Sequence, residues 1–319
     1  MKLEEIKGQI EPFYSKYAGY TIEVKNAVKN KPYVMGLGAN TFIIGDDETT
    51  FMIDAYASRN SFRLPIKFSK YQALLADIES KEDKVNELYK SISRPKISHI
   101  ICTHNHFDHV LDIKSFYDIV EKETGVKLTV VGTLSAVNTA LGYNIPKEQT
   151  VVVERKKKDY DFITIGKFKI TFLPGKHLKL FALYRSTYQK TPLKRKGFII
   201  AYKEGGVLDL LIEHEGMKPL LVTSSFGLGE YHLKTVGTVF QAIGGARRVS
   251  KKDKLAILKR NVIESEAQIV YCTHYDNFLK DYKEGLHFME VNHSIIDLFR
   301  REAPNKEIGL IKYFEKIQL

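Results

Sequence analysis

The chain has 319 residues, of which 44% are hydrophobic and 27% charged, with 21 glycines and 9 prolines. That is the composition of a globular protein able to bury a large core, and it excludes a disordered, collagen-like or low-complexity chain. Forty-nine Lys and Arg against 38 Asp and Glu give a net charge of +11, which favours anionic partners; the basic residues cluster only at 155–158, 194–196 and 247–254 and otherwise read as solvated surface.

The first residues, Met1-Lys2-Leu3-Glu4-Glu5-Ile6-Lys7, carry early acids and no apolar h-region, so no signal peptide is expected. No run approaches the ~18 apolar residues of a membrane span. Two cysteines alone, Cys102 and Cys272, argue against a disulfide framework and make a reducing cytoplasm the expected location.

Ala39-Asn40-Thr41-Phe42-Ile43-Ile44-Gly45 and Thr50-Phe51-Met52-Ile53-Asp54 read as two strands around a Gly45-Asp46-Asp47 turn. From about Ser69 to Ile92 the spacing of Leu74, Leu75, Ile78, Val85, Leu88 and Tyr89 predicts a helix that Pro95 ends. Ile97 to Cys102 is a buried strand by its β-branched run. Val110, Ile113, Phe116, Tyr117 and Val120 then fall at helical spacing. A strand at Leu128–Val131 and a helix at Leu134–Leu141 follow. Strands are expected in Phe162–Ile165, Phe168–Phe172, Gly197–Tyr202 and Leu220–Val222. A helix from about Lys252 to Ile263, a strand at Ala267–Cys272 and a last strand at Ile308–Phe314 follow. No Pro/Gly/Ser-rich linker intervenes, so residues 1–319 read as one α/β domain.

Two strand ends echo each other. Cys102-Thr103-His104 and Cys272-Thr273-His274 both close apolar runs and are followed by an acid. The echo suggests two similar halves that deliver histidines to one rim.

The densest chemistry follows the first of these strands. His104, His106, Asp108 and His109 fall within six residues. Imidazoles and a carboxylate are the ligands that hold zinc, at ~2.0–2.1 Å for nitrogen. A strand end leading into a helix is where open α/β folds place their sites.

His104-Asn105-His106-Phe107-Asp108-His109 resembles the HxHxDH motif of the metallo-β-lactamase superfamily. The resemblance runs through the chain in the family's order: Asp54 at an early strand end, Leu173-Pro174-Gly175-Lys176-His177 as a ligand-bearing turn, and Thr273-His274 as a late ligand-bearing strand end. It implies an αββα sandwich of two mixed sheets flanked by helices, with the metals at one edge. Residue by residue, it implies a first metal site of His104, His106 and His177 and a second of Asp108, His109 and His274, with Asp54 supporting from behind. The sequence departs from the family where two metals are usually bridged by an aspartate: Ser225 stands there, in Thr223-Ser224-Ser225-Phe226-Gly227. Two close cations without that charge repel more strongly. Either one zinc is held firmly and the second place is weak, or Asp276 supplies the missing carboxylate, or the site has become a binding module.

A zinc with three protein ligands activates a water for attack on an ester, amide, lactone or phosphodiester. The expectation is therefore a zinc-dependent hydrolase of a small, anionic substrate, phosphodiester first, with Asp108 orienting the water and taking its proton. Iron, manganese or nickel suit the same donors. Phe181, Tyr184 and Tyr188 are candidates for an apolar pocket. A nuclease is the alternative enzyme, although no basic stripe interleaved with aromatics supports nucleic acid as the partner. His99, His214, His232, His287 and His293 read as packing or surface residues, with Glu230 and His232 close in sequence to the serine turn.

Overall fold

Strands form where short β-branched or aromatic runs lie between turn residues, and their order determines which chain ends meet. A computed structural model describes residues 2–23, 31–59, 78–178, 187–193, 197–288 and 293–319. One sheet contains β1 (Tyr33–Gly36), β2 (Phe42–Gly45), β3 (Thr50–Ile53), β4 (Ile97–Cys102), β5 (Thr129–Gly132), β6 (Thr150–Val152) and, beside β1, the C-terminal β14 (Lys316–Gln318). The other runs in sequence order through β7 (Phe162–Ile165), β8 (Phe168–Pro174), β9 (Leu208–His214), β10 (Met217–Val222), β11 (Thr238–Ala242), β12 (Ile269–Thr273) and β13 (Glu307–Leu310). The β2–β3 turn is set by Asp46, whose Oδ1 accepts the amides of Glu48 and Thr49 at 2.9 and 2.7 Å.

Both sheets are mixed. β3 to β6 pair in parallel, as do β10 to β13, while the remaining ladders are antiparallel. Their inner faces meet through fully buried aromatics, Phe42 on Phe240 and Phe51 on Phe168, with ring centroids 5.4 and 5.3 Å apart. Helices lie outside: α1 (Leu3–Lys16), α2 (Glu82–Ser91), α3 (Phe107–Val110), α4 (Ile113–Thr124), α5 (Leu134–Gly142), α6 (Lys251–Leu258) and α7 (His293–Glu302). α4 turns Ile113, Phe116, Ile119 and Val120 inward and packs against α2. This is the αββα sandwich of two mixed sheets expected from the sequence.

Four local expectations are corrected. The continuous helix expected from Ser69 to Ile92 is interrupted: residues 78–81 are not helical and a helix runs over Glu82–Ser91, while residues 69–77 lie outside the described residues. Gly197–Tyr202 is no strand. β8 pairs directly with β9, so this segment does not stand between them. Ile199–Ala201 forms a 3-10 turn instead; Ile199 and Tyr202 are buried, Phe198 is a single bridge residue, and the Gly197 carbonyl accepts the Ile78 amide. The last helix before β12 leaves α-geometry after Leu258 and continues as a π-helix over Lys259–Glu264. The final strand stops at Leu310, and the chain then crosses to the first sheet as β14. Among the described residues no helix is long and apolar enough to cross a membrane.

Candidate metal centre

β3 and β4 run parallel, with Ile53 opposite Ile101, so Asp54 and Thr103 leave the sheet side by side. Asp54 takes a positive φ of 53°, a conformation aspartate tolerates better than most residues. Its carboxylate accepts the Thr103 amide at 2.8 Å, the Thr103 hydroxyl at 2.8 Å and His109 Nδ1 at 2.6 Å. The hydroxyl's one proton therefore points at Asp54, and its lone pair accepts Nδ1–H of His104 at 3.2 Å. Both rings are fixed through Nδ1 and present Nε2 outward, as carboxylate-backed ligand histidines do.

The other ligand-bearing turns reach the same edge from the second sheet. β8, β10, β11 and β12 share one direction, so Lys176–His177, the serine turn and His274 all follow carboxyl ends of strands. His177 donates Nδ1–H to the Leu178 carbonyl at 2.9 Å, which frees its Nε2. The serine turn packs directly on this segment: a Cβ on Gly227 would lie 1.7 Å from the Lys176 carbonyl oxygen, so only glycine fits. His274 has φ 52° and donates its amide to the Ala39 carbonyl at 3.0 Å.

Six side chains thereby form two groups, His104 with His106 and His177, and Asp108 with His109 and His274; within each group the ligand atoms lie within 4.8 Å of one another. His104 Nε2 and His106 Nδ1 are 3.1 Å apart, His274 Nε2 and Asp108 Oδ2 3.4 Å, and His109 Nε2 and Asp108 Oδ2 3.7 Å. Two ligands on a tetrahedral zinc with bonds of about 2.0–2.1 Å stand roughly 3.3–3.4 Å apart, so the donors present fit a metal ion. The protonation states of the three-histidine group agree. Burial and the neighbouring imidazoles push His104 and His106 well below the ordinary histidine value and His177 down to about 4, so they are neutral and ligand-competent at pH 7. Burial alone would raise the Asp108 carboxyl, but His109 and His274 beside it hold it well below the usual carboxylate range. His109 is raised because Asp54 and Asp108 outweigh its burial.

The remaining expected residues are dispersed. Ser225 is buried in the serine turn and belongs to neither group of donors. Asp276 is corrected as a candidate ligand: both of its oxygens are occupied, by Arg59 Nη2 at 2.6 Å, the Ala39 amide at 3.0 Å and the Tyr313 hydroxyl at 2.8 Å. His99 contacts Ser98, His214 faces Asp46, and His232 lies 3.7 Å from Glu264. Glu230 pairs with Arg155 and Lys157 and lines a groove that ends at His177. Tyr188 lines the same groove and is exposed; Phe181, Tyr184 and the 194–196 basic cluster lie outside the described residues.

Sequence reasoning missed four residues that hold this edge together. Thr103 links three site side chains. Asp112 accepts the amides of Ala57 and Ser58 at 2.6 and 2.7 Å and the hydroxyls of Ser58 and Ser80 at 2.5 and 2.6 Å. Asp209 accepts the Ser224 amide at 2.8 Å and the Tyr231 hydroxyl at 2.8 Å, and so fixes the serine turn. Arg59 is tied to the loop after His274. Only Thr103 had a signal, its place in the repeated Cys-Thr-His.

Residues 34–126 match the family model of the metallo-β-lactamase superfamily. No curated protein matches the sequence. Among solved structures, the chain resembles the metallo-β-lactamase fold protein YhfI from Bacillus subtilis at 12% identity and a TM-score of 0.55, over 91% of this chain and 100% of that one. It resembles Igni18, a metallo hydrolase from the archaeon Ignicoccus hospitalis, at 13% and 0.52, over 91% and 98%. It also resembles CmlA, a diiron β-hydroxylase from Streptomyces venezuelae, at 14% and 0.52, over 92% of this chain and 55% of that one. At such identities these likenesses speak for the fold. With the HxHxDH segment inside the matched region and two His/Asp donor groups at the shared edge, this chain has the metallo-β-lactamase fold.

Proposed function

We propose that the chain is a zinc-dependent hydrolase of one domain spanning residues 1–319. In this reading His104 Nε2, His106 Nδ1 and His177 Nε2 hold a firmly bound ion, and Asp108, His109 and His274 form a weaker second place. The observation that carries the reading is the convergence of both donor groups at the edge where the strands end, with spacings that suit a tetrahedral ion. When bound, zinc supplies a Lewis acid and lowers the pKa of a water toward ~7.

The chain's own residues do the rest. Asp108, kept ionised by its histidines, accepts a hydrogen bond from the attacking water and aims it. So acidic a carboxyl is a poor store for the proton, which makes orientation its larger contribution. Asp54 keeps His109 in the tautomer that presents Nε2. Ser225 adds no charge between the two groups, so a second ion lacks the bridging carboxylate that would offset cation repulsion. The +11 net charge favours an anionic ester, and a phosphodiester is the first choice. Cys102 and Cys272 are free, buried in different sheets and raised in pKa by that burial, which suits a reducing cytoplasm.

Ser225 also motivates a second reading, a metal-binding member without turnover. Elemental analysis of protein purified without added metal, alongside a panel of carboxylic esters, lactones and phosphodiesters, separates the two. About one zinc per chain with turnover that a chelator abolishes supports the hydrolase; retained metal with no turnover on any substrate supports the binding protein.

A further inference from the structure

The groove ending at His177 is lined by Arg155, Gly175, Lys176, Tyr188 and Gly206 among others, and none of these five belongs to the donor groups. Arg155 is fixed in advance. Its Nε and Nη2 both donate to the Gly175 carbonyl, at 3.3 and 2.9 Å, and Nη2 also reaches Glu230 at 3.3 Å. The Nη1 edge of the fork has no protein partner among the described residues. Lys176, next to His177, is exposed and likewise enters no ion pair among them. Glu230 is already shared between Arg155 and Lys157, the latter at 3.0 Å, and Glu204 is the groove's other acid. A guanidinium held rigid on one side with its other edge open loses little freedom on meeting an oxyanion.

An exposed ring stands beside it. Tyr188 lines the same groove and is 57% exposed, so its ring is accessible to a ligand there. Gly206, at φ +93°, separates the two features: a Cβ at that position would lie 3.7 Å from Arg155 Cδ and 3.9 Å from Tyr188 Cε1. The missing side chain leaves the space between guanidinium stem and ring open.

We propose that this groove is the subsite for the non-reacting end of the substrate: a compact oxyanion, phosphate or carboxylate, held by Arg155 and Lys176 with a flat ring resting on Tyr188. Calling it a substrate subsite rests on the hydrolase reading; the binding itself does not.

The test is isothermal titration of phenylphosphonate, benzoate and methylphosphonate into the full-length protein as purified, at low salt. Wild type is compared with Arg155→Met, Lys176→Met and Tyr188→Ala. Losing the fork is expected to weaken both aryl anions about tenfold or more, and losing the ammonium a few-fold. Tyr188→Ala is expected to weaken phenylphosphonate and leave methylphosphonate unchanged. The side chains of Lys176 and Tyr188 stand in solvent, so these two variants remain informative if Arg155→Met fails to fold. A preference for phenylphosphonate over benzoate, or the reverse, names the oxyanion. Affinities unchanged in Lys176→Met and Tyr188→Ala would mean that the metal centre alone holds the anion, and the groove proposal falls. Ligand binding lost in the variants, from a wild type that turns over no ester, would sink the hydrolase reading and leave the groove standing. Turnover that persists while the variants bind as wild type does would sink the groove alone.

Discussion

Arg59 Nη2 lies 2.6 Å from Asp276 Oδ2, and both side chains are almost wholly buried. The pair closes a clamp around the loop after His274. Arg59 also donates to the carbonyls of Lys280 and Asn277 at 2.6 and 3.1 Å and stacks over the Tyr282 ring with its guanidinium carbon 4.1 Å from the centroid. Asp276 accepts the Ala39 amide, and Ala39 in turn accepts the His274 amide. A carboxylate satisfied by three donors in a buried place is a poor candidate to leave for a metal.

Asp276→Ala therefore removes one half of a buried ion pair, which typically costs about 3–5 kcal/mol. The expected outcome is a large loss in urea denaturation with about one metal per chain retained, because none of His104, His106 and His177 touches this clamp. Arg59→Met combined with Asp276→Leu should recover part of the loss, since no charge is then left unpaired. A metal content that drops by a full ion with stability intact would return Asp276 to the list of ligands.

The two donor groups differ in charge and should differ in occupancy. His177→Ala removes the one ligand that the second sheet contributes to the three-histidine group, and metal content is expected to fall from about one per chain to near zero. His274→Ala touches only the group that has no bridging carboxylate and should leave the firmly bound ion in place. Inductively coupled plasma analysis of both proteins checks this. The reverse order of losses would make Asp108, His109 and His274 the stronger site.

What the sequence made legible was whatever is local. Histidines spaced by one residue after a β-branched strand, a Pro-Gly turn before His177 and a repeated Cys-Thr-His are each contained in a few residues, and the parallel ladders bring these strand ends to one edge. Partners that only packing can choose were not legible. Arg59 lies 217 residues from Asp276, so the sequence left the Asp276 carboxylate free to be read as a ligand. Asp209 belongs to a strand the sequence reading did not single out, and its role depends on Ser224 and Tyr231 folding back over it. Gly197–Tyr202 has the composition of a strand, but β8 and β9 pair with each other, and the segment turns as a 3-10 helix after a single bridge residue.

Asp108 offers a kinetic distinction. If its main contribution is to orient the attacking water, Asp108→Asn should lower kcat by about two to four orders of magnitude, the range of general acid–base and positioning effects. Metal content should change little, because the three-histidine group is intact. Equal losses of metal and turnover would make Asp108 chiefly a ligand. The comparison needs both numbers from the same preparation.

Asp209 should show itself in the pH dependence of stability. It is fully buried, and desolvation raises its carboxyl to about 6 despite the hydrogen bonds from Ser224 and Tyr231. In the unfolded chain it titrates near the ordinary value of ~3.9. A folded-state pKa above the unfolded one means that the native protein holds this proton more tightly, so the contribution is complete below about pH 4 and is lost as pH rises through about 6. Over that window the wild type is expected to lose up to about 3 kcal/mol relative to Asp209→Asn, an order-of-magnitude figure from two pKa units at ~1.4 kcal/mol each. Asparagine keeps an acceptor for the Ser224 amide and does not titrate, so subtracting the two urea-denaturation curves at pH 4, 5, 6 and 7 removes the background from other groups. A difference that is flat across this range would mean that Asp209 is already ionised at pH 4, with the turn's hydrogen bonds outweighing its burial.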